Sequence, residues 1–272
     1  MTSPKITVVT PSYNQGQFIE RTILSIINQN YPNLEYIICD GGSTDNTIDI
    51  LKKYNDKIDY WVSEKDKGQT DAINKGMLRA SGDIVCWINS DDILLPGALK
   101  YVSDFFIKNP GIDFLMGITI EIDRNDYILK KTHSILNKFL TKHGAYNVNQ
   151  QGMFWKRKIF KEIGYLDETF HACMDIEFII RIMENNIPYT VSNKPLGAIR
   201  VYSETKTAIG GKIWDNDWRE ISKRYNGYYV RNKRNIFYWG YGLLKLLKGY
   251  YLNDIFFKIK NNGKKVSSLY QI

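Results

Sequence analysis

The first 110 residues alternate short apolar runs with helix-like segments, and this alternation restricts the fold more than any other feature. The runs KITVVT, LEYIICD, IDYWVS and DIVCWIN are rich in β-branched and aromatic residues, which favours strands. Residues 18–27, 43–54 and 69–80 between them have the character of helices, and a fourth helix is predicted after Pro96. Strands that alternate with helices predict an α/β fold with a mostly parallel central sheet flanked by helices.

The second half is less regular. We predict strands over residues 112–123 and 150–157 and a helix over 174–186. With 272 residues, of which 43% are hydrophobic, the chain can bury a large core. We divide it into a domain of residues 1–211 and a helical tail of residues 212–272.

The net charge of +8 arises from the tail, residues 212–272. Residues 212–272 contain 13 Lys or Arg against 4 Asp or Glu, which leaves the first 211 residues at −1. Aromatic residues, Leu and Lys are mixed along this tail, and two interpretations of its role stay open. The tail is either a helix that lies on an anionic membrane surface or a helix packed on the domain with a solvated basic side. Nucleic acid is not predicted as a partner, because no recognisable binding motif accompanies the charge.

The amino-terminal region carries no charged-then-apolar leader before ITVVT. No stretch approaches the roughly 18 apolar residues that a membrane-spanning helix needs. We therefore expect a cytoplasmic protein, which is peripheral on the inner face of a membrane if the tail binds lipid.

Polar side chains follow three of the predicted strands, at Pro11 to Asn14, Asp40 to Ser43 and Ser90 to Asp92. Ligands of open parallel sheets bind beyond the carboxyl ends of the strands. Asp91 follows a buried type of strand, where a carboxylate is costly unless it is paired or bound to a cation. Because Mg²⁺ or Mn²⁺ takes carboxylate and phosphate oxygens together, the pattern favours a divalent cation beside a nucleotide diphosphate. A helix cap is the alternative.

Five segments, in order, resemble the inverting family 2 glycosyltransferases of the GT-A fold: VVTPSYNQGQFIERTILSIINQ, IICDGGSTDNT, KGQTDAINKGMLRASGDIVCWINSDD, GYLDE and MDIEFIIR. The resemblance covers about Lys5 to Arg200. It implies a GT-A catalytic domain with a nucleotide-binding half at about 1–110 and an acceptor half at about 111–211. The implied reaction moves a hexose-type sugar from a nucleoside diphosphate sugar, with UDP expected, to a hydroxyl of a glycan or lipid-linked glycan.

The resemblance also implies donor-binding residues in four segments: Pro11, Ser12, Tyr13, Asn14, Asp40, Asp71, Ser90 and Asp91. Tyr13 offers an aromatic face to the base, and Asp40 is expected to accept a hydrogen bond from the pyrimidine ring. Ordinary alternatives exist, since turns, helix caps and solvated helix faces use the same residue types.

Two acids receive separate chemical roles from the resemblance. Asp91 in NSDD is the expected cation ligand, although Asn89 replaces the usual first Asp and is a weaker, neutral ligand. Asp175 in MDIEFIIR is the expected catalytic base, although Met174 replaces the usual Glu. Asp175 and Glu177 would otherwise complement the dipole of the predicted helix.

Two other functions remain as rivals. A nucleotide-sugar-binding relative without catalysis is consistent with Asn89 and with Tyr202, which stands where many relatives carry His. A nucleotide-dependent dehydrogenase is disfavoured, because PSYNQGQ lacks the glycine fingerprint of that class. The QxxRW motif of processive synthases is absent, which favours transfer of a single sugar.

Overall fold

The computed structural model describes residues 3–148, 150–205, 211–228 and 236–270. Its strands are β1 Ile6–Ser12, β2 Leu34–Asp40, β3 Tyr60–Ser63, β4 Ile84–Trp87, β5 Ile93–Leu94, β6 Phe114–Ile122, β7 Ile128–Thr132, β8 Met153–Lys156 and β9 Tyr189–Arg200. The α-helices in these ranges are α1 Ile19–Ile27, α2 Thr47–Lys53, α3 Gln69–Arg79, α4 Ala98–Lys108, α5 Lys138–Lys142, α6 Ile159–Ile163, α7 Met174–Glu184, α8 Gly211–Arg224, α9 Ile236–Leu247 and α10 Tyr250–Asn261.

The described strands form one sheet in the order β3-β2-β1-β4-β8-β6-β9-β5, with β7 paired to β6. The first four strands are parallel, as predicted. Beyond β4 the sheet is mixed, because β8 is antiparallel to both β4 and β6 while β9 runs parallel to β6. The α/β fold with helices around a central sheet is confirmed. The parallel half places the ends of β1, β2 and β4 at one edge.

Helices cover both faces of the parallel half, and the side-chain alternation of the strands decides which face each residue joins. Val8 in β1 packs in a cluster with Ile23 of α1, whereas its neighbour Val9 packs with Ile73 of α3. α7 joins the same side as α3, through residues such as Phe178. Within the described residues, no helix combines the length and apolar character needed to cross a bilayer.

The longest described strand, β9, has no counterpart in our sequence prediction. Its central residues SNKP are polar, and Pro195 cannot donate to a ladder of hydrogen bonds. The pairing of β9 with β6 is irregular at this point, where the register shifts around Ile118 and Pro195. Beyond Pro195 the strand turns inward, and Leu196 to Ala198 are buried. β9 matters for the site because it ends at Arg200.

The tail packs on the domain through several buried residues. Trp218 and Ile221 of α8 belong to the same core cluster as α7. Tyr241 of α9 packs with Leu140 of α5, and Val266 joins a cluster with Ile128 of β7. Residues 229–235 of the predicted basic tail lie outside the described residues. The packing interpretation of the tail is therefore correct for one face of these helices.

Candidate active site

A cavity of about 510 Å³ opens at the carboxyl ends of the parallel strands. Its walls come from the ends of β1 and β4, the loop between β3 and α3, and the end of β9. Parallel register explains this convergence, because Ser12 is level with Asp40 and Asp40 is level with Ser63. Five of the eight predicted donor-binding residues line the cavity: Pro11, Ser12, Tyr13, Ser90 and Asp91.

The turn after β1 presents Tyr13 to the cavity and uses Asn14 to hold its shape. The Tyr13 side chain is 61% exposed, so its ring is available for stacking. Asn14 adopts a left-handed conformation with φ of 51°. Its backbone N–H donates to Ser43 Oγ at 2.7 Å, and its Oδ1 accepts from the Thr44 N–H at 2.8 Å. Asn14 thus joins two loops and is placed as a turn residue.

Asp40 lies beneath the loop that follows β2, with 2% of its surface exposed. Its Oδ2 accepts from the N–H groups of Gly42 and Ser43 and from Ser63 Oγ at 2.6 Å. Its Oδ1 accepts from Ser43 Oγ at 2.5 Å. The second helix begins later than the predicted residue 43, because Ser43 is held by Asp40 and α2 begins at Thr47. Asp40 shapes the cavity wall through its neighbour Gly41.

We expect Asp40→Ala to lower the free energy of unfolding by roughly 2–4 kcal/mol, because four donors lose a buried acceptor at about 1–3 kcal/mol for each unsatisfied group. UDP binding should weaken by about 1–3 kcal/mol in the folded variant. Chemical denaturation and calorimetric UDP titration measure the two effects separately. Unchanged UDP affinity in the folded variant would contradict a role for Asp40 in binding the base.

Asp71 and Asn74 of α3 hold neighbouring segments in place. The Asp71 carboxylate accepts from the Lys67 N–H at 2.9 Å and forms an ion pair with Lys75 at 3.5 Å. The Asn74 amide exchanges two hydrogen bonds with the backbone of Leu166, at 2.8 and 3.1 Å. These contacts connect the KGQTDAINKG and GYLDE segments. Asp71 is thus placed at the start of α3, supporting the loop that carries the cavity residues Lys65 and Asp66.

The Asp91 carboxylate lines the cavity and is held by Tyr202, whose hydroxyl donates to Oδ2 at 2.9 Å. Burial raises the pKa of Asp91, while the Tyr202 hydrogen bond and the Arg200 charge oppose that rise. Asn89 is engaged elsewhere, since its Oδ1 accepts from Gln69 Nε2 at 2.8 Å. Asp91 is therefore the acid of NSDD that is best placed to meet a ligand in the cavity.

The neighbouring Asp92 is a structural acid. Its Oδ1 accepts from the Arg200 N–H at 2.8 Å, and its Oδ2 accepts from Gln151 Nε2 at 2.5 Å. Burial and the charge of Asp91 raise the pKa of Asp92 well above its usual range. Arg200 also donates through Nε to the Asp91 carbonyl at 2.8 Å. β9 therefore fixes the backbone on which Asp91 is carried.

Asp175 lines a second cavity of about 270 Å³. This cavity shares four wall residues with the first, so the two adjoin: Gln69, Asn89, Gln151 and Ile199. The Asp175 side chain is in the first turn of α7, where its Oδ1 accepts from the Ile176 N–H at 2.8 Å. Burial raises the pKa of Asp175 to about 6, although that hydrogen bond acts in the opposite direction. A carboxylate with this pKa can take a proton near neutral pH.

The tail supports the loop that leads to Asp175. Asp217 of α8 is buried, and its Oδ2 accepts from the N–H groups of His171, Ala172 and Cys173 at 2.7–3.0 Å. Glu177 has a structural role, because it is 1% exposed and pairs with Arg181 at 2.8 Å. It does not compete with Asp175 for the cavity.

A profile of the family described as "Glycosyl transferase family 2" matches residues 7–175, which is more than half of the chain. The chain belongs to this family. Within it, the chain is 32% identical over 195 residues to the uncharacterized glycosyltransferase Rv1514c of Mycobacterium tuberculosis, covering 66% of this chain and 70% of the relative. It is 31% identical over 136 residues to the Escherichia coli UDP-Glc:alpha-D-GlcNAc-diphosphoundecaprenol beta-1,3-glucosyltransferase WfgD, covering 50% of each chain.

Solved structures place this family 2 glycosyltransferase in the GT-A fold. The S. aureus TarS 1-349 fragment in complex with UDP-GlcNAc superposes with a TM-score of 0.64 at 18% identity, covering 81% of this chain and 65% of the fragment. The mannosyltransferase PcManGT from Pyrobaculum calidifontis, in complex with GDP-Man and Mn²⁺, superposes with a TM-score of 0.57 at 16% identity, covering 75% and 59%. The predicted fold is confirmed.

Several cavity residues of this glycosyltransferase were missed by the sequence analysis: Lys65, Asp66, Gln69, Gln151 and Glu204. A signal existed for Asp66, because SEKDKG follows the third strand of the parallel set just as the predicted segments follow the first, second and fourth. Gln151 had no such signal, because its position depends on the long-range pairing of β8 with β4 and β6.

Proposed function

We propose that this glycosyltransferase transfers a hexose-type sugar from a UDP-sugar to a hydroxyl of a glycan acceptor, with inversion at the anomeric carbon. The observation that carries the proposal is the Asp175 carboxylate, which has a pKa raised to about 6 and lines a cavity adjoining the predicted nucleotide cavity. A screen of nucleoside diphosphate sugars for donor hydrolysis, with and without Mn²⁺, tests the donor class. Absence of hydrolysis and transfer with every donor would contradict it.

The donor base is proposed to stack on Tyr13, between the turn after β1 and the loop after β2. The exposed ring of Tyr13 supports this placement, as does the position of Pro11 and Ser12 in the same wall. Asp40 is proposed to accept from the pyrimidine through Oδ1, which accepts one hydrogen bond in the structure, whereas Oδ2 accepts three. A carboxylate oxygen has capacity for a second donor.

A divalent cation, Mn²⁺ or Mg²⁺, is proposed to bind between Asp91 and the donor diphosphate. Mg²⁺ sites often use one or two carboxylates together with substrate phosphates, and the Asp91 carboxylate facing the cavity fits that donor set. The described residues contain no cluster of three or more His, Cys, Asp or Glu that would hold a metal by themselves. When bound, the cation supplies charge neutralisation for the leaving diphosphate. Tyr202 orients Asp91 for this contact, and Ser90 lines the adjoining wall.

Inversion requires a base on the face of the sugar opposite the leaving group. Asp175 is proposed to take the proton of the acceptor hydroxyl in the second cavity. The sugar of the donor would then lie where the two cavities adjoin, beside Gln69 and Gln151. Holding donor and acceptor in this geometry supplies the remaining rate enhancement.

We expect kcat/KM to depend on pH with an apparent pKa near 6, as burial raises the pKa of Asp175 to about that value. Only the deprotonated carboxylate acts as the base, so kcat/KM should fall about tenfold for each pH unit below 6 and stay level above it. Initial rates at low substrate concentration between about pH 4.5 and about pH 8 provide the measurement. A profile that is level down to pH 5 would contradict the assignment.

The acceptor is proposed to be a lipid-linked glycan, and the enzyme is proposed to act in the cytoplasm at the inner face of the membrane. WfgD, by its name, acts on a diphosphoundecaprenol-linked sugar. The second cavity carries the aromatic rings of Tyr146 and Trp214, which suit the apolar faces of sugars. Transfer to a lipid-linked acceptor, compared with the same glycan released from its lipid, tests this proposal.

A nucleotide-sugar-binding protein without catalysis is the second candidate, because Asn89 and Tyr202 depart from the family pattern. Asn89 bonds to Gln69 rather than offering a second carboxylate to the cavity. Donor binding without release of sugar, at any metal concentration and with any acceptor, would favour this alternative.

A further inference from the structure

Helices α9 and α10 each carry an apolar stripe exposed to solvent. Of the 19 exposed large apolar side chains in the described part of the chain, ten lie on these two helices. They recur at the spacing of one helix face: Ile236, Trp239, Leu243, Leu246 and Leu247 on α9, and Tyr251, Leu252, Ile255, Phe256 and Ile259 on α10. Their exposed fractions run from 43% to 76%. Clustered exposure of this kind marks an interaction surface.

The opposite faces of the two helices are fixed to the catalytic body. Tyr241 is 6% exposed and packs in the cluster of Leu140 described above. Lys131 of β7 donates to Asn253 Oδ1 at 2.6 Å. His133 Nδ1 lies 2.8 Å from Asp254 Oδ1. The stripes therefore belong to helices held in one orientation.

The charges around the stripes have one sign. The exposed charged residues within 236–270 are lysines: Lys248, Lys258, Lys260, Lys264 and Lys265. The one acid within residues 236–270, Asp254, is bound to His133 and lies 3.6 Å from Lys245. A second copy of the chain would place lysines against lysines, which disfavours a dimer through this face. An anionic lipid surface complements both the charge and the apolar stripes.

We propose that α9 and α10 form a docking face for an anionic lipid bilayer. Both helices lie in the interface plane, with their apolar stripes toward the acyl chains and their lysines at the headgroups. Since the opposite faces are fixed to β7 and α5, the bilayer meets the catalytic domain in one orientation. The inference deepens the proposed function, because it names the surface by which the enzyme would reach a lipid-linked acceptor.

Flotation of the full chain with vesicles tests the proposal. Wild-type protein should float with phosphatidylglycerol-containing vesicles and much less with phosphatidylcholine vesicles, and added salt should weaken the binding. Leu243→Asn combined with Phe256→Asn should weaken binding about tenfold or more, because two apolar anchors are lost. Both side chains are more than half exposed, so the fold is expected to survive. Leu78→Asn on α3, at a site 66% exposed, is the matched control and should float like wild type.

Trp239, which is 76% exposed, reports the depth of the contact. Brominated lipids should quench tryptophan fluorescence in wild type, and Trp239→Phe should remove most of that quenching while flotation persists.

Equal flotation of the double variant and wild type would overturn the proposal. The proposal would also be overturned if wild type sedimented as a dimer that does not float with vesicles, and if the double variant sedimented as a monomer. These assays need neither donor nor acceptor, so a failure of the proposed glycosyl transfer is seen separately, in the donor screen.

Discussion

Asp175→Asn is expected to lower kcat by about 10²–10⁴-fold while the affinity for the donor stays near wild type. The amide keeps the shape of the side chain but cannot take the proton of the acceptor hydroxyl. Asp175 lines the second cavity and not the first, which Tyr13 and Asp91 line, so the donor contacts should survive. Steady-state kinetics and calorimetric donor titration in the presence of Mn²⁺ give the two quantities.

The unfolding free energy of Asp175→Asn, measured against pH, shows whether the variant is folded and whether the pKa of Asp175 is raised. The pKa of Asp175 is raised from 3.8 to about 6, so the folded state favours the protonated carboxyl. The contribution of Asp175 to the unfolding free energy should therefore fall as pH rises from about 4 to about 6, and the cost of the charge persists above that range. Asp175→Asn removes this cost and should be more stable than wild type by about 3 kcal/mol at pH 8, with little difference below pH 4. Full transferase activity, or lost donor binding in the variant, would assign Asp175 to the helix dipole instead.

Asp91→Asn is expected to abolish the dependence of donor affinity on Mn²⁺ and to lower kcat by about 10²-fold or more. Both effects have one cause, because the carboxylate is proposed to hold the cation that neutralises the leaving diphosphate. Calorimetric UDP titration with Mn²⁺ and with EDTA gives the binding effect directly. Asp91→Asn should differ from Asp175→Asn in this titration, which separates the two acids by role.

Tyr202→Phe is the matched control for Asp91. It removes the hydroxyl that donates to Asp91 Oδ2 but leaves the carboxylate in place. Because Tyr202 orients Asp91 but is not proposed to hold the cation, this variant should retain a smaller but still metal-dependent gain in UDP affinity. If Asp91→Asn also retained that gain, the cation would be held by other groups and the assignment of Asp91 would be wrong.

The parallel half of the fold was predictable because each strand and helix there carries its own local pattern. β1 to β4 and α1 to α4 all appear at the predicted places, with boundaries that shift by a few residues. β9 was not predictable in the same way, because its burial depends on β6 and β5 on either side. The polar centre of β9 and Pro195 interrupt the apolar alternation by which a strand is recognised in a sequence, so β9 is evident only once its partner strands are known.

The site could be located from the sequence more readily than its residues could be given roles. The rule that ligands meet the carboxyl ends of parallel strands placed Pro11, Tyr13 and Asp91 beside one cavity. It could not show that Asn14 and Asp40 bind the Ser43 loop, since hydrogen bonds between separate segments leave no periodic signal. The catalytic and metal roles themselves stay predictions that the variants above address.

The end of β9 has a consequence for the synthesis of the chain. Arg200 holds both acids of the NSDD segment through its backbone N–H and its guanidinium, and β9 pairs with β5 directly after that segment. Residues 89–92 leave the ribosome more than 100 residues before these partners, so a nascent chain with a folded parallel half still lacks the contacts that fix Asp91. We therefore expect a ribosome-bound chain to gain the proposed nucleotide-sugar affinity only when β9 has emerged from the exit tunnel.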